Sequence, residues 1–199
     1  MTDNKNVKIM FFDIETLSTK NEAVVLSMGF VPVDFEVCST FQELVAGGLE
    51  VKMQVEEQVA AGREVERSTL DWWKKQGDSA KRVLTPREDD VQMKDFYESI
   101  SSLGFIQKAN WYAKGPHFDM AITSSLFNDF NIKEPWGYNQ VRDVRTALEW
   151  AVGDTMPYDR EKLISDGTLA GFINHNAVHD AAFDAWQTLQ ILHGKYTDG

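Results

Sequence analysis

Two carboxylates, Asp13 and Glu15, stand with one residue between them near the end of the apolar stretch KIMFFDIETLS, residues 8–18. In a β-strand alternate side chains lie on one face, so at a rise of about 3.3 Å per residue these two point to the same side, roughly 6 to 7 Å apart. Like charges at this distance repel each other unless a positive charge lies between them. Because a hydrophobic strand gains nothing from two exposed acids on one face, the pair predicts a cation site.

Two further acidic residues lie where apolar segments begin. Asp119 falls in the first turn of one predicted helix, and Asp180 lies near the start of the last predicted helix, five residues after His175. Taken singly, each has a simple structural explanation, since an acidic residue in the first turn of a helix interacts favourably with the helix dipole. Their combination with the D-x-E pair, and their order along the chain, favours one shared site if the elements converge.

Four carboxylates and a histidine are suited to phosphodiester hydrolysis with two metal ions. Four carboxylates can hold two divalent cations, one of which activates water while both stabilise the attacking and leaving oxygens. Ligation by oxygen without cysteine favours magnesium or manganese over structural zinc. His175, with an ordinary pKa of about 6.5, could take the proton of the attacking water at neutral pH. The missing positive charge at the D-x-E pair is therefore predicted to be metal.

The segments that carry these residues resemble a known family. The chain is similar to the DEDDh 3′–5′ exonucleases, which have a ribonuclease H-like fold, at their three motifs: FFDIET, HFDMAI and HNAVHDAAFDA. Nearly the whole chain resembles the DexA-type exonucleases of T-even phages, since the similarity extends to STLDWWKKQ, VRDVRT and GTLAGFINHNAVHD. The resemblance implies His175 as general base and four metal ligands: Asp13, Glu15, Asp119 and Asp180. It also implies substrate contacts by three residues, of which the first two would touch the terminal nucleotide and the third would pack beside it: Thr16, Leu17 and Phe118.

The last motif fits the sequence in two registers. His-x-Ala-x-x-Asp is spelled by His175 with Asp180, and again one helical turn later by His179 with Asp184. Because the two aspartates are four residues apart, they share a helix face, and periodicity does not choose between them. The length of helix that follows the aspartate fits the family better with Asp180, so we expect the first register and keep the second open.

Three other residues have both a functional and a structural interpretation. Trp72 and Trp73 could stack on single-stranded bases, but adjacent helical positions face about 100° apart, so at least one is expected in the core. Arg145 in VRDVRT could reach a substrate phosphate. A structural ion pair between Arg145 and Asp143 is an equal alternative.

Strands come first in the predicted order and then alternate with helices, which favours an α/β fold with a mixed β-sheet flanked by helices. Predicted strands cover residues 7–12, 23–34, 38–47, 109–115 and 140–144, the first three forming a meander. Segment 48–67 is expected to be a strand and then a loop. Helices are expected after an N-cap at Ser68 or Thr69, over 87–104, from Pro116, from about 144 to Gly153, and over 178–193.

The composition limits the class of protein. With 199 residues, 43% of them hydrophobic, and with no linker or repeat, the chain is expected to form a single exonuclease domain over residues 1–199. Cys38 is the only cysteine, which excludes an intrachain disulfide and fits a reducing compartment. No apolar run approaches the about 18 residues of a membrane span, so we expect a cytoplasmic protein (in the host cytoplasm if phage-encoded) with no membrane partner. The net charge of −11 argues mildly against a nucleic-acid surface, although metal-binding carboxylates contribute to it.

The expected function is metal-dependent 3′–5′ exonuclease action, with two Mg²⁺ or Mn²⁺ ions, that releases nucleoside 5′-monophosphates from single-stranded DNA. Trimming of RNA 3′ ends is the close alternative, because a contact to the 2′-hydroxyl decides between the two and the sequence does not locate one. A non-catalytic binding module would be expected to lack some of the ligands. An unrelated carboxylate enzyme, such as a glycosidase, would remain active when metal is chelated.

Overall fold

The computed structural model describes residues 9–104 and 108–196. The strands are β1 (Ile9–Thr16), β2 (Val25–Val33), β3 (Leu49–Lys52), β4 (Asn110–Ala113) and β5 (Val141–Asp143). The helices are α1 (Phe41–Gly47), α2 (Val55–Ala60), α3 (Arg67–Trp73), α4 (Asp78–Lys81), α5 (Phe96–Ser99), α6 (Pro116–Asp129), α7 (Val144–Val152), α8 (Arg160–Ser165) and α9 (Ala177–Leu192). Within this part of the chain, no helix combines the length and the hydropathy of a membrane span.

The five strands form one mixed sheet in the order β3-β2-β1-β4-β5. The first three are antiparallel neighbours, whereas β1, β4 and β5 run parallel. The predicted α/β fold of ribonuclease H type, with a mixed sheet and helices on its faces, is confirmed. Because the carboxyl ends of the three parallel strands meet at one edge, the residues that follow these strands are brought together there.

Each face of the sheet carries its own hydrophobic core, and successive residues of β1 alternate between them. Phe12 packs on one face with Trp111 and the buried side of α6, while Phe11 packs on the other with α7 and α9. Trp111 is fully buried in this core. Burial on both faces explains why the start of β1 is apolar at every position.

The N-terminus of α9 lies directly on β2, and Gly29 permits this approach. A Cβ at Gly29 would overlap the backbone carbonyl of Ala177 and lie 2.5 Å from the amide nitrogen of Val178. Gly29 pairs with Asp13 in the β1–β2 register. The close packing therefore places the first turn of α9 beside the carboxylate end of β1.

The predicted strand over 38–47 is wrong, because most of that segment is helix α1. Thr40 caps this helix, and the backbone and side chain of Glu43 complete a capping box with it. A Thr-x-x-Glu pattern before an apolar residue is a signal of helix initiation that outweighed the β-branched composition. The third strand of the meander is β3 instead.

Two predicted helices also differ from the structure. Helix α3 begins at Arg67 with Glu66 as N-cap, so neither Ser68 nor Thr69 caps it. Segment 87–104 is not one amphipathic helix, because Val91 exchanges backbone hydrogen bonds with Lys52 and Gln54 and is held beside β3. Only short helical segments follow, which are the 3₁₀ turns Met93–Asp95 and Ser101–Leu103 and helix α5 between them.

The remaining element predictions agree with the structure where it describes them. Strands β1, β2, β4 and β5 and helices α6, α7 and α9 lie where they were expected. Residues 7 and 8 of the first predicted strand lie outside the described residues. Segment 48–67 starts as strand β3, as expected, but continues into helix α2 where a loop was predicted.

Candidate active site

A pocket of about 260 Å³ lies at the edge where the parallel strands end. Five carboxylates, one imidazole and three cationic side chains surround it. Its lining consists of Asp13, Ile14, Glu15, Lys114, Phe118, Asp119, Arg145, Arg160, His175, Asp180 and Asp184. The structure therefore brings together all five residues predicted to hold metal or to act as general base, and two of the predicted substrate contacts, Phe118 and Arg145.

Asp119 reaches the pocket from the first turn of α6. Pro116 occupies the first turn, where a missing N–H costs nothing, and Gly115 before it adopts the left-handed conformation with φ of 92°. The side chain of Asp119 is buried, and its Oδ1 accepts a hydrogen bond from the backbone N–H of Ile14 at 3.3 Å. This hydrogen bond joins α6 to β1 at Ile14, the residue between the two carboxylates of the D-x-E pair.

Asp180 and His175 enter the pocket together from the start of α9. The backbone N–H of His175 donates to Asp180 Oδ2 at 3.0 Å, and Asn176 caps the helix by accepting from the N–H of His179. His175 has a φ of 57°, in the left-handed region that non-glycine residues seldom adopt. One ligand atom each of Glu15, His175 and Asp180 lie within 4.8 Å of one another, a spacing that one metal ion could bridge.

The structure separates the two residues of the second register, His179 and Asp184. The Nδ1 of His179 accepts a hydrogen bond from the backbone N–H of Ile173, and its ring packs edge to face with Phe41 and Phe172. Asp184, the other residue of that register, does line the acidic pocket. The pocket therefore contains the His175/Asp180 pair and a fifth carboxylate, but not the imidazole of His179.

Crowding of buried carboxylates raises their pKa values. Burial is the largest cause for Asp13 and Glu15, whose pKa values lie well above their usual range, and repulsion from neighbouring carboxylates adds to it. Burial also raises the pKa of Asp119 to about 7 and that of Asp180 to about 6. The carboxylates are thus poorly compensated at neutral pH, and a site with this excess of negative charge favours divalent cations.

Cationic side chains compensate two of the carboxylates. Arg160 pairs with Asp180 at 3.1 Å while its guanidinium lies over the rings of Phe172 and Phe183. Lys114 pairs with Asp184 at 3.2 Å. Neither cation was predicted from the sequence. Lys114 directly follows β4, a position next to β1 that could have indicated it, whereas the segment that contains Arg160 carried no recognisable pattern.

The surroundings of His175 favour the neutral form of its imidazole. Burial, and then the positive charge of Arg160, lower the pKa of His175 below its ordinary value. Two indoles pack against the imidazole with their planes steeply inclined to it, at centroid distances of 4.6 Å for Trp72 and 6.0 Å for Trp73. A neutral imidazole at this position can accept a proton.

A second pocket of about 360 Å³ adjoins the first. Its lining is more apolar: Ile14, Glu15, Thr16, Thr19, Ser68, Thr69, Trp72, Trp73 and Phe118. Trp73 is buried, as expected for at least one of the two tryptophans, while Trp72 is 40% exposed. Leu17, predicted to touch the substrate, packs instead into a small core cluster with Trp73 and lines neither pocket.

Arg145 reaches the acidic pocket without pairing with Asp143. The carboxylate of Asp143 caps α7 by accepting from the backbone N–H of Arg145 and Thr146, and it also accepts from the N–H of Gly115. The guanidinium of Arg145 passes over Gly115, where a Cβ would collide with it. Its charge opposes the rise in the pKa of Asp119. The alternative of a structural ion pair is not found among the described residues.

Comparison with known proteins identifies the family of this chain. Residues 8–192 match the family described as the 3′-5′ exoribonuclease Rv2179c-like domain, a range that includes every residue of the acidic pocket. An exodeoxyribonuclease of Enterobacteria phage T4 is 30% identical to this chain, over 86% of this chain and 83% of the phage protein. With the mixed sheet and the carboxylates at its edge, these matches show that the chain belongs to the Rv2179c-like family of 3′–5′ exonucleases.

Proposed function

We propose that this chain is a single-domain, metal-dependent 3′–5′ exonuclease of the DEDDh type that shortens single-stranded DNA and releases nucleoside 5′-monophosphates. The observation that carries the proposal is the convergence of Asp13, Glu15, Asp119 and Asp180 on one pocket with His175. These side chains come from three elements that are distant in sequence. No structural need of the fold explains why a buried pocket should gather carboxylates that repel each other.

The chemistry of the pocket fits two divalent metal ions held by the four carboxylates. Their ligands would be Asp13, Glu15, Asp119 and Asp180, all oxygen donors of the kind that Mg²⁺ and Mn²⁺ prefer. Such ions, when bound, supply activation of water and stabilisation of the attacking and leaving oxygens of the phosphodiester. The raised pKa values of the carboxylates support this assignment, since a nearby cation would offset the burial and the repulsion that raise them.

The remaining residues of the site bind the substrate and accept its proton. His175, whose lowered pKa favours the neutral imidazole through burial and the charge of Arg160, takes the proton of the attacking water. Arg145 contributes a positive charge near the scissile phosphate. The apolar pocket beside Glu15 receives the terminal nucleotide, with Thr16, Trp72 and Phe118 in its wall.

DNA is the preferred substrate in this proposal, and RNA is the second candidate. The phage T4 relative is named an exodeoxyribonuclease, which favours DNA. The description of the matching family names an exoribonuclease, which favours RNA. The same carboxylates could serve both reactions, because the sugar 2′-hydroxyl does not take part in a hydrolysis driven by metal ions and water.

The deciding experiment incubates 5′-labelled DNA and RNA single strands of equal sequence with the protein and Mg²⁺ or Mn²⁺. Asp13→Ala and an excess of EDTA serve as controls. We expect a ladder that shortens from the 3′ end, is lost in both controls and grows faster on DNA. A faster ladder on RNA would select the second candidate. Cleavage that survives EDTA would contradict the metal-dependent mechanism.

A further inference from the structure

A separate basic cleft opens on the other side of His175. It has a volume of about 150 Å³ and lies between β3, the segment that follows α3, and the loop before α9. Its lining consists of Glu50, Lys52, Ser79, Ala80, Arg82, Val83, Arg87, Ile173, His175 and Asn176. Three cationic side chains and one carboxylate thus surround this cleft, whereas carboxylates outnumber cations around the acidic pocket.

Two of the three cations have no side-chain partner in the part of the chain that the structure describes. The guanidinium groups of Arg82 and Arg87 make neither an ion pair nor a hydrogen bond there, and both residues are exposed. Lys52 is buried and pairs with Asp90 Oδ2 at 2.6 Å, so two of its three N–H donors have no partner among the described residues. The carboxylate of Glu50 is occupied by the side-chain amide of Asn176. The donors of the cleft are therefore available to an anion.

The cleft communicates directly with the reaction site. His175 lines both the cleft and the acidic pocket. When the scissile phosphate of a nucleic-acid strand lies in the acidic pocket, a neighbouring phosphate of the same strand would therefore lie at this cleft.

We propose that the cleft formed by Lys52, Arg82 and Arg87 binds a backbone phosphate of the substrate strand, beyond the scissile bond. This inference rests on the proposed nuclease function and adds the path of the strand to it. The planar fork of arginine suits bidentate hydrogen bonding to phosphate oxygens. The cleft also supplies positive charge that a chain with a net charge of −11 needs to hold a polyanion.

The test measures binding and turnover separately. Binding of a fluorescent single-stranded oligonucleotide is followed by anisotropy in EDTA, where no hydrolysis occurs, over a range of salt concentrations. In Arg82→Gln/Arg87→Gln we expect affinity to fall about fivefold or more and the slope of log affinity against log salt to become shallower by about 0.7 per lost phosphate contact. Arg82→Lys/Arg87→Lys keeps the charge and should retain most of the slope. Lys195→Gln, beyond the far end of α9, removes a charge at a distance and should change neither quantity.

Turnover is measured on the oligonucleotide and on the p-nitrophenyl ester of thymidine 5′-monophosphate, which contains the reacting phosphate and no other. The double glutamine variant should lose kcat/KM about fivefold or more on the oligonucleotide and less than twofold on the ester. An equal loss on both substrates, or wild-type binding no tighter than that of the variant, would overturn the inference. If the wild-type protein hydrolyses neither substrate but shows the arginine-dependent salt slope, the proposed function fails and the phosphate cleft remains.

Discussion

The imidazole of His175 and the indole of Trp72 meet edge to face, with centroids 4.6 Å apart and ring planes at 74°. His175 needs such support because its backbone lies in the left-handed region, in a loop between α8 and α9. Trp72 also lines the apolar pocket beside the acidic one. A single side chain therefore contacts the proposed general base and the proposed position of the terminal nucleotide.

This contact makes Trp72 a positioning residue in our interpretation. Trp72→Ala should lower kcat about tenfold by releasing the imidazole, and raise KM by removing a wall of the nucleotide pocket. Trp72→Phe keeps an aromatic edge and should recover most of kcat. Trp150→Ala, which truncates a tryptophan that is 87% exposed on α7, should change neither constant. Steady-state kinetics on the oligonucleotide measures the split; equal kcat in all four proteins would refute the positioning role.

Substitutions of the two histidines of the last motif should have different effects on turnover and stability. His175→Ala removes the group that accepts the proton, and we expect turnover to fall by about 10² to 10⁴. His179→Ala should instead lower stability by about 1 to 3 kcal/mol, since the N–H of Ile173 loses its half-buried acceptor, and weaken activity only slightly. Rates of strand shortening and urea unfolding measure the two effects. Rates in the opposite order would assign the base to His179.

Stability without metal should fall as the pH rises. The pKa values of Asp119 and Asp180 are raised in the folded protein, to about 7 and about 6, so their contribution is complete below about pH 4 and is lost as the pH passes through 6 to 7. The lowered pKa of His175 acts in the opposite direction below about pH 6.5. In EDTA we expect the Tm to drop by several degrees between pH 5.5 and pH 8.

Two comparisons isolate the carboxylates. Asp119→Asn cannot titrate, so its Tm should decline less steeply over the same pH range. Millimolar Mg²⁺ or Mn²⁺ should raise the wild-type Tm at pH 8, because the ions bind only the folded state. A Tm that is flat with pH and unmoved by either ion would count against a formed metal site.

The predictable part of the site is the part that lies at element ends. Asp13 and Glu15 close a strand whose burial on both faces makes it conspicuous, and Pro116 marks the start of the helix that carries Asp119. The contact of Arg160 with Asp180 was not predictable from the sequence, because the two residues are 20 positions apart and only the fold sets their distance. The prediction of a single helix over 87–104 was wrong for a related reason. Its apolar spacing fits a helix, but the backbone pairing of Val91 with the end of β3 is a tertiary effect that spacing does not contain.

Arg160 should compete with metal for Asp180. Arg160→Gln removes a unit charge a few ångströms from the carboxylates, which contributes on the order of 1 kcal/mol in a partly hydrated site, so Mn²⁺ affinity should rise about three- to tenfold. The metal-free Tm should fall, because Asp180 loses its ion pair. Arg67→Gln, which breaks an exposed pair on α3, should leave affinity unchanged. Calorimetric titration measures all three proteins, and weaker binding in Arg160→Gln would show that the arginine supports the metal-loaded site.

Gly29 should be as important to the site as the carboxylates, although it contacts no substrate. A methyl group there would push the backbone of Ala177 and Val178 off the sheet, and with it the first turn of α9 that carries Asp180. Gly29→Ala should therefore cost about 1 to 3 kcal/mol or more in urea unfolding and reduce activity even where the variant is fully folded. Gly47→Ala, whose added methyl meets nothing within 4 Å, should be neutral or stabilising by up to about 1 kcal/mol and fully active. Equal stability and activity in the two variants would show that α9 can shift along the sheet without disturbing the pocket.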